Sequence, residues 1–301
     1  MPTFPEIRVG DPVAHGALTV FPLFAESASP VRYLLADEAL AGGAVTVEEV
    51  GRDGSVPELL VENCLDSPVL FLEGEELRGA KQNRVLNTSV LIAPASKAKI
   101  PVSCVERGRW RYTSRHFGSV GSHASSKLRH VLKKSLDRSS REGQGHRSDQ
   151  GEVWKEVSRQ MASLGACSPT GAMGDTYDAH RESLVEFRDR LKYVDGATGL
   201  AVGLGSKVVS VDLFDKPVTC RKVWDRLLTG FVMDALESGT ASERPGDGGV
   251  REKLSHLREA PWRPTQAAAA GEEFRAEWEG DQHASALTCD GTVLHGSLIA
   301  G

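Results

Sequence analysis

Aromatic residues make up only 6% of this 301-residue chain, and its five cysteines form no CxxC pair. Cys64, Cys104, Cys167, Cys220 and Cys289 are odd in number and widely spaced, which argues against a disulfide framework or a zinc knuckle. Reduced thiols in a reducing compartment are expected instead. No run approaches the ~20 apolar residues that a membrane span needs. Met1 to Gly16 carries Pro2, Pro5, Glu6, Asp11 and Pro12 and no apolar block of signal-peptide length, so a cytoplasmic chain with no membrane partner is expected. There is no internal repeat and no βαβ alternation, which removes the doubly wound dinucleotide folds. What is present is 40% hydrophobic residues, enough for a core and too many for wholesale disorder.

The formal charge of -5 hides an asymmetry. Between Lys97 and Arg147 stand thirteen Lys/Arg against three acids, a local +10 that leaves -15 for the rest of the chain. His116, His123, His130 and His146 fall in the same window. A block polarised in this way suits an anionic partner, or pairs with the acidic remainder of the same protein.

Short β-branched or alternating segments fill the first hundred residues: Ala17 to Leu23, Val45 to Val50, Glu58 to Cys64, Pro68 to Glu73, Val85 to Ala93 and Lys99 to Val105. Their regular spacing predicts a sandwich or barrel-like sheet. The period then becomes helical, with Leu128, Val131, Leu132 and Leu136 on one side of Ser125 to Arg141. A second helix begins after a Ser148 or Asp149 cap and ends at Gly165. A third begins at Asp175 and carries Tyr177, Leu184, Phe187, Leu191 and Val194. Gly199 to Leu213 reads as a hairpin, and Pro217 opens the most amphipathic helix in the chain, with Asp215 as its expected cap. Gly239 to Gly249 reads as a loop. Three strands close the chain: Glu272 to Trp278, Ala284 to Cys289 and Thr292 to Ile299. Strands, helices and strands again make an α+β fold. A single composite domain over residues 1–301 is expected, β-rich over 16–106, basic and helical over 107–195, and a hairpin, helix and strands over 196–301.

Two blocks carry more hydrogen-bonding capacity than turns require. From Glu73 to Arg84 three carboxylates, three cations and two amides lie within twelve residues. Here Glu75 or Glu76 would act as general base, Arg78, Lys81 and Arg84 would hold an anion, and Gln82 and Asn83 would orient it. The competing reading is a solvated hairpin whose charges pair locally. In the second block, Arg107 to Phe117, arginines alternate with rings. As a strand it would put Arg109 and Arg111 on one face to grip phosphates, with Trp110 and Tyr112 on the other to stack on a base. The competing reading is an edge strand protected by arginine charge. His116 at its end is a further candidate catalytic group. Gly118 to Ser122 argues for a loop, so His116, His123 and His130 are not expected to share a metal, and no metal site or cofactor can be named. Cys104 reads as a buried small hydrophobe. Ser168 to Gly174, with Thr170, could form a backbone nest for an anion at a helix start.

Several stretches together resemble the signature blocks of the ADP-ribosylglycohydrolase and rhodanese-phosphatase associated protein domain family. They are Glu73 to Asn87 (EGEELRGAKQNRVLN), Pro101 to Tyr112 (PVSCVERGRWRY), Ser148 to Trp154 (SDQGEVW), Ser168 to Met173 (SPTGAM) and Val211 to Asp215 (VDLFD). The likeness runs from about Gly16 to Leu298. It implies one domain unit and a link, through gene neighbours, to ADP-ribose or NAD-derived nucleotides; it transfers no catalytic residue.

The leading expectation is a protein that binds an anionic, nucleotide-like small molecule, with hydrolysis or transfer as the chemistry that Glu75 or Glu76 would serve. The alternative is a non-catalytic assembly protein whose arginine and aromatic block forms a homo-oligomer interface. Nucleic-acid binding through residues 97–147 ranks third, because the chain is acidic overall and carries no motif for it. The composite site requires residues 73–84 and 107–116 to meet in one cleft.

Overall fold

The computed structural model describes residues 1–26, 29–51, 54–239, 243–278 and 281–301. It is an α+β fold with a β-rich N-terminal half, central helices and C-terminal strands that return to the main sheet. The helices are α1 (Ala36–Ala41), α2 (Ser126–Arg141), α3 (Gln150–Ser163), α4 (Met173–Ala179), α5 (Arg181–Arg190), α6 (Pro217–Ser238) and α7 (Asp247–Glu259). Among the described residues, none is long and apolar enough to cross a membrane.

The largest sheet has nine strands, all antiparallel. Its order is Ile7–Val9, Leu18–Ala25, Gly199–Leu204, Lys207–Phe214, Thr292–Ala300, Gln282–Cys289, Glu272–Trp278 and Arg263–Thr265, with Val13–His15 also pairing to Leu18–Ala25. Both faces are buried: one is apolar, whereas the other is apolar where it meets α6 and polar where it meets α2, at Asp212, Arg275, Ser285 and Ser297. Leu18, Val20, Leu200 and Val202 pack with Trp224, Leu227 and Phe231 of α6. Phe21, Leu23, Ala201 and Leu298 pack with Val250, Leu254 and Leu257 of α7. A six-stranded sheet runs Phe117–His123, Glu75–Gly79, Arg84–Leu86, Ser96–Cys104, Glu58–Asn63 and Val45–Glu49. A third sheet joins Val90–Ile92, Val69–Phe71 and Leu34–Leu35, the last pair parallel.

Several local expectations fail for identifiable reasons. Val85 to Ala93 is two strands in two sheets, separated by Asn87, Thr88 and Ser89, which are buried to bond Ser103, Glu273 and His295. The third helix breaks into α4 and α5 at His180, whose Nδ1 lies 2.9 Å from the Thr176 carbonyl. Phe117 to His123 is an edge strand, not a loop. It pairs with Glu75–Gly79 through a bulge after Ser119, and Phe117 anchors it in the core. Arg107 to His116 is a loop, not a strand, because Arg109 turns inward to bind backbone carbonyls. Asp149 caps α3. Asp215 does not cap α6; it receives Tyr33 and Ser29 instead, and Lys216 stands at the cap position. Part of the Gly239 to Gly249 loop, residues 240–242, lies outside the described residues, and Asp247 already begins α7, whose Val250, Leu254 and Leu257 carry a helical spacing.

Candidate functional site

The block from Glu73 to Arg84 is a hairpin: strand Glu75–Gly79, a turn, and strand Arg84–Leu86. At the turn Ala80 takes φ 39°, a conformation that side chains other than glycine rarely adopt. The second block holds it there. Thr113 N–H and the Arg109 guanidinium both donate to the Ala80 carbonyl at 3.0 and 2.6 Å, and Ser114 Oγ accepts the Ala80 N–H at 2.9 Å. The two blocks therefore meet, but they do not build one cleft. Of the first block only Arg78 lines the principal cleft, and of the second block no residue does.

Before the turn, Arg78 lines a cleft of about 630 Å³ bounded by α1, α4, α5, α6 and the edge strand Phe117–His123. Arg181, Arg188, Lys222 and Arg226 add four more cations to its walls, against Asp37, Asp178 and Asp225. Arg226 is 5% exposed, and its Nη1 contacts Asp37 at 3.0 Å and Glu75 at 3.4 Å. Its Nε and Nη2 are buried without a hydrogen-bond partner. Such unmade bonds cost about 1–3 kcal/mol each, more on a charged group, so this guanidinium keeps unused donor capacity beside the cleft. Arg78 reaches Glu76 at 3.2 Å and Asp178 at 2.9 Å.

Glu75 and Glu76 are fully buried beside these arginines. Glu75 accepts from Ser119 at 2.9 Å, and Glu76 accepts from Ser122 while its Oε1 has no partner. Burial pushes both carboxyls above their ordinary range, outweighing Arg226 for Glu75 and Arg78 for Glu76. Raised carboxyls of this kind can exchange a proton nearer neutral pH than an exposed glutamate. Among the described residues, no group of three metal-capable ligands converges here.

After the turn the polar side chains mostly serve one another. Gln82 accepts from Arg84 at 3.1 Å and from the Cys104 thiol at 3.1 Å. Asn83 Oδ1 accepts from Arg109 Nη2 at 3.1 Å, while Arg109 also binds Glu106 through two nitrogens. Thr170 donates its hydroxyl to Glu106 at 2.8 Å, and the N–H groups of Thr170 and Ala172 are taken by Ser168 Oγ, so the expected anion nest is filled by its own serine. Arg84 is wholly buried, 5.7 Å below the Trp110 ring and 3.8 Å from Glu49. Lys81 lies over both Trp110 and Tyr112, which are exposed, as is Arg111. The guanidinium stripe is thus dismantled: Arg109 is internal, Arg111 points to solvent, and neither lines the cleft. His116 is half-buried next to the edge strand; it does not line the cleft, but lines an adjoining one that shares Asp37 with it. Cys104 is buried as expected, and burial raises its thiol.

Sequence reasoning missed the most heavily ionised part of the molecule. Arg129, Lys133 and Asp137 recur every four residues along α2 and are all buried beside Leu128, Leu132 and Leu136. Arg129 grips Asp212 through two nitrogens at 2.6 and 3.0 Å and reaches Glu73 at 2.9 Å. Lys133 meets the other Glu73 oxygen at 2.8 Å, and Ser285 and Ser297 donate to Glu73 at 2.8 and 2.9 Å. Burial works against the charge on Glu73, yet Lys133 and Arg129 hold its carboxyl well below the usual range. His295 stands 3.3 Å from Asp212 and 2.8 Å from Ser89 Oγ, an Asp-His-Ser series with a nucleophile's geometry. All three are buried, and Ser89 also receives the Glu73 N–H, so this constellation is structural. The i, i+4, i+8 charge spacing beside the leucines was the available signal.

The chain belongs to the ARG and Rhodanese-Phosphatase-superfamily-associated Protein domain family, whose model matches residues 6–299. No curated protein and no solved structure matches it.

Proposed function

Given that membership, we propose that the cleft under α5 and α6 binds an anionic small molecule of the nucleotide type, of the ADP-ribose or NAD kind, with Glu75 or Glu76 exchanging a proton if the ligand is hydrolysed or transferred. One observation carries the reading: Arg226, nearly buried in the cleft wall, has two guanidinium nitrogens with no protein acceptor. Arg78 stands on the same wall, and planar guanidinium forks match phosphate oxygens. The volume lies within the ~300–1,000 Å³ of small-molecule sites. The choice of ADP-ribose and NAD among anionic ligands rests on the resemblance's implied gene neighbours alone.

Isothermal titration with ADP-ribose, NAD and AMP tests this. Micromolar affinity is expected for at least one. The exposed pair Arg181→Ala with Lys222→Ala should weaken it about tenfold by removing attraction for phosphate. Trp110→Ala should leave it unchanged. No heat with any of the three at millimolar ligand would sink the reading.

A further inference from the structure

Where the hairpin formed by Glu272–Trp278 and Gln282–Cys289 lies against α2, a second group of ionisable side chains converges, on elements that do not line the cleft. His130 of α2, Asp281 and His283 place one ligand atom each within 4.8 Å of one another. His130 Nε2 is 3.3 Å from Asp281 Oδ2, and His283 Nε2 is 3.3 Å from Asp281 Oδ1. Two ligands on a tetrahedral ion with ~2.0–2.1 Å bonds stand roughly 3.3 Å apart; each histidine nitrogen stands at that edge length from its nearer Asp281 oxygen, the two histidines using different oxygens.

The orientation of His283 gives a second, independent reason. Its Nδ1 is 2.5 Å from Asp137 Oδ2, and Asp137 is fixed from its other side by Arg275 at 3.2 Å. A carboxylate behind the imidazole in this way fixes the tautomer with Nδ1–H donating and leaves the Nε2 lone pair outward. In the neutral ring that lone pair faces a carboxylate oxygen, acceptor against acceptor, an arrangement that either a second ring proton or a metal ion between them resolves. We propose that His130, Asp281 and His283 form a site for a divalent first-row transition ion of the Zn²⁺ type, with Asp137 as the carboxylate that orients His283 and water completing the coordination. Lys134 occupies the place of the competing cation: its Nζ lies 2.9 and 3.1 Å from the Asp281 oxygens, on a largely exposed side chain that can swing away. His130 would exchange its 3.0 Å contact with the Asp281 carbonyl for the ion.

Co²⁺ and Zn²⁺ are the probes, added to the chelator-treated full chain. Expected are one Co²⁺ per chain with the visible absorption of a low-coordinate nitrogen and oxygen site, and a raised thermal midpoint with Zn²⁺. His130→Ala and Asp281→Asn, both at the rim, should each weaken Co²⁺ binding by roughly 10-fold to 100-fold or more. Lys134→Ala should tighten it, which a purely structural ion pair would not do. Absence of saturable binding by the unmodified chain overturns the proposal, as does binding that neither ligand substitution alters.

Discussion

Asp234 sits on α6 with one oxygen accepting the Ser126 N–H at 2.6 Å and the other, Oδ1, unpartnered. Burial raises its carboxyl from 3.8 to about 7, against the pull of Ser126. A group raised in this sense lends stability that is complete below its unfolded value and lost as pH rises through about 7. His123 has the opposite sign. Burial, then Arg129, lowers it from 6.5 to about 3, so its contribution is complete above 6.5 and lost as pH falls toward 3. Asp234→Asn keeps the acceptor for Ser126 and removes the titration. Urea unfolding at about pH 5.5 and about pH 8.5 should show the unmodified chain losing on the order of a few kcal/mol at the higher pH and the variant losing much less. An equal loss in both would place the titration elsewhere.

At the scale of elements, close approach decides where the cleft residues lie. A Cβ on Gly230 of α6 would stand 2.2 Å from the Ala124 carbonyl oxygen, so glycine is what lets the end of the edge strand rest on the helix. A Cβ on Gly174 of α4 would stand 2.2 Å from Arg78 Nη2. Gly174→Ala should therefore displace the guanidinium and weaken ligand binding about 5-fold to 10-fold. Its unfolding midpoint should hardly change, since alanine gains up to ~1 kcal/mol over glycine within a helix. Calorimetric titration beside a thermal melt checks both halves. Elements with strong periodicity, such as α2, α3 and the closing strands, were legible in the sequence because one local pattern decides them; α6, expected to be the most amphipathic helix, is instead buried on most sides. The loop after Cys104 was not, because Arg109 bonds backbone far along the chain and overrides an alternation that looks extended. The edge strand hid for the opposite reason, its Gly and Ser content being overruled by pairing with Glu75–Gly79.

For the whole molecule, the basic window is largely an internal affair. At least nine of its thirteen cations pair with carboxylates of this chain: Lys97, Lys99, Arg109, Lys127, Arg129, Lys133, Lys134, Arg138 and Arg141. Glu75, Glu76 and Arg78 of the candidate site were legible because they share one dense block. Arg181, Lys222 and Arg226 were not, since a basic residue on a helix facing solvent and one facing a cleft look alike without the tertiary fold. Arg129→Met leaves Glu73 and Asp212 buried with fewer partners, and breaking a buried ion pair costs about 3–5 kcal/mol. Urea unfolding should register that loss; a change below about 1 kcal/mol would mean the network relaxes around the gap.

The same glutamate also sets an order in time. Arg129 and Lys133 follow Glu73 by 56 and 60 residues, but Ser285 and Ser297, which complete its shell, follow by 212 and 224. On the ribosome, a chain that has reached α2 can neutralise this carboxylate yet cannot seal it. The early strands must then wait, half-assembled and wet, until Ser297 has been made.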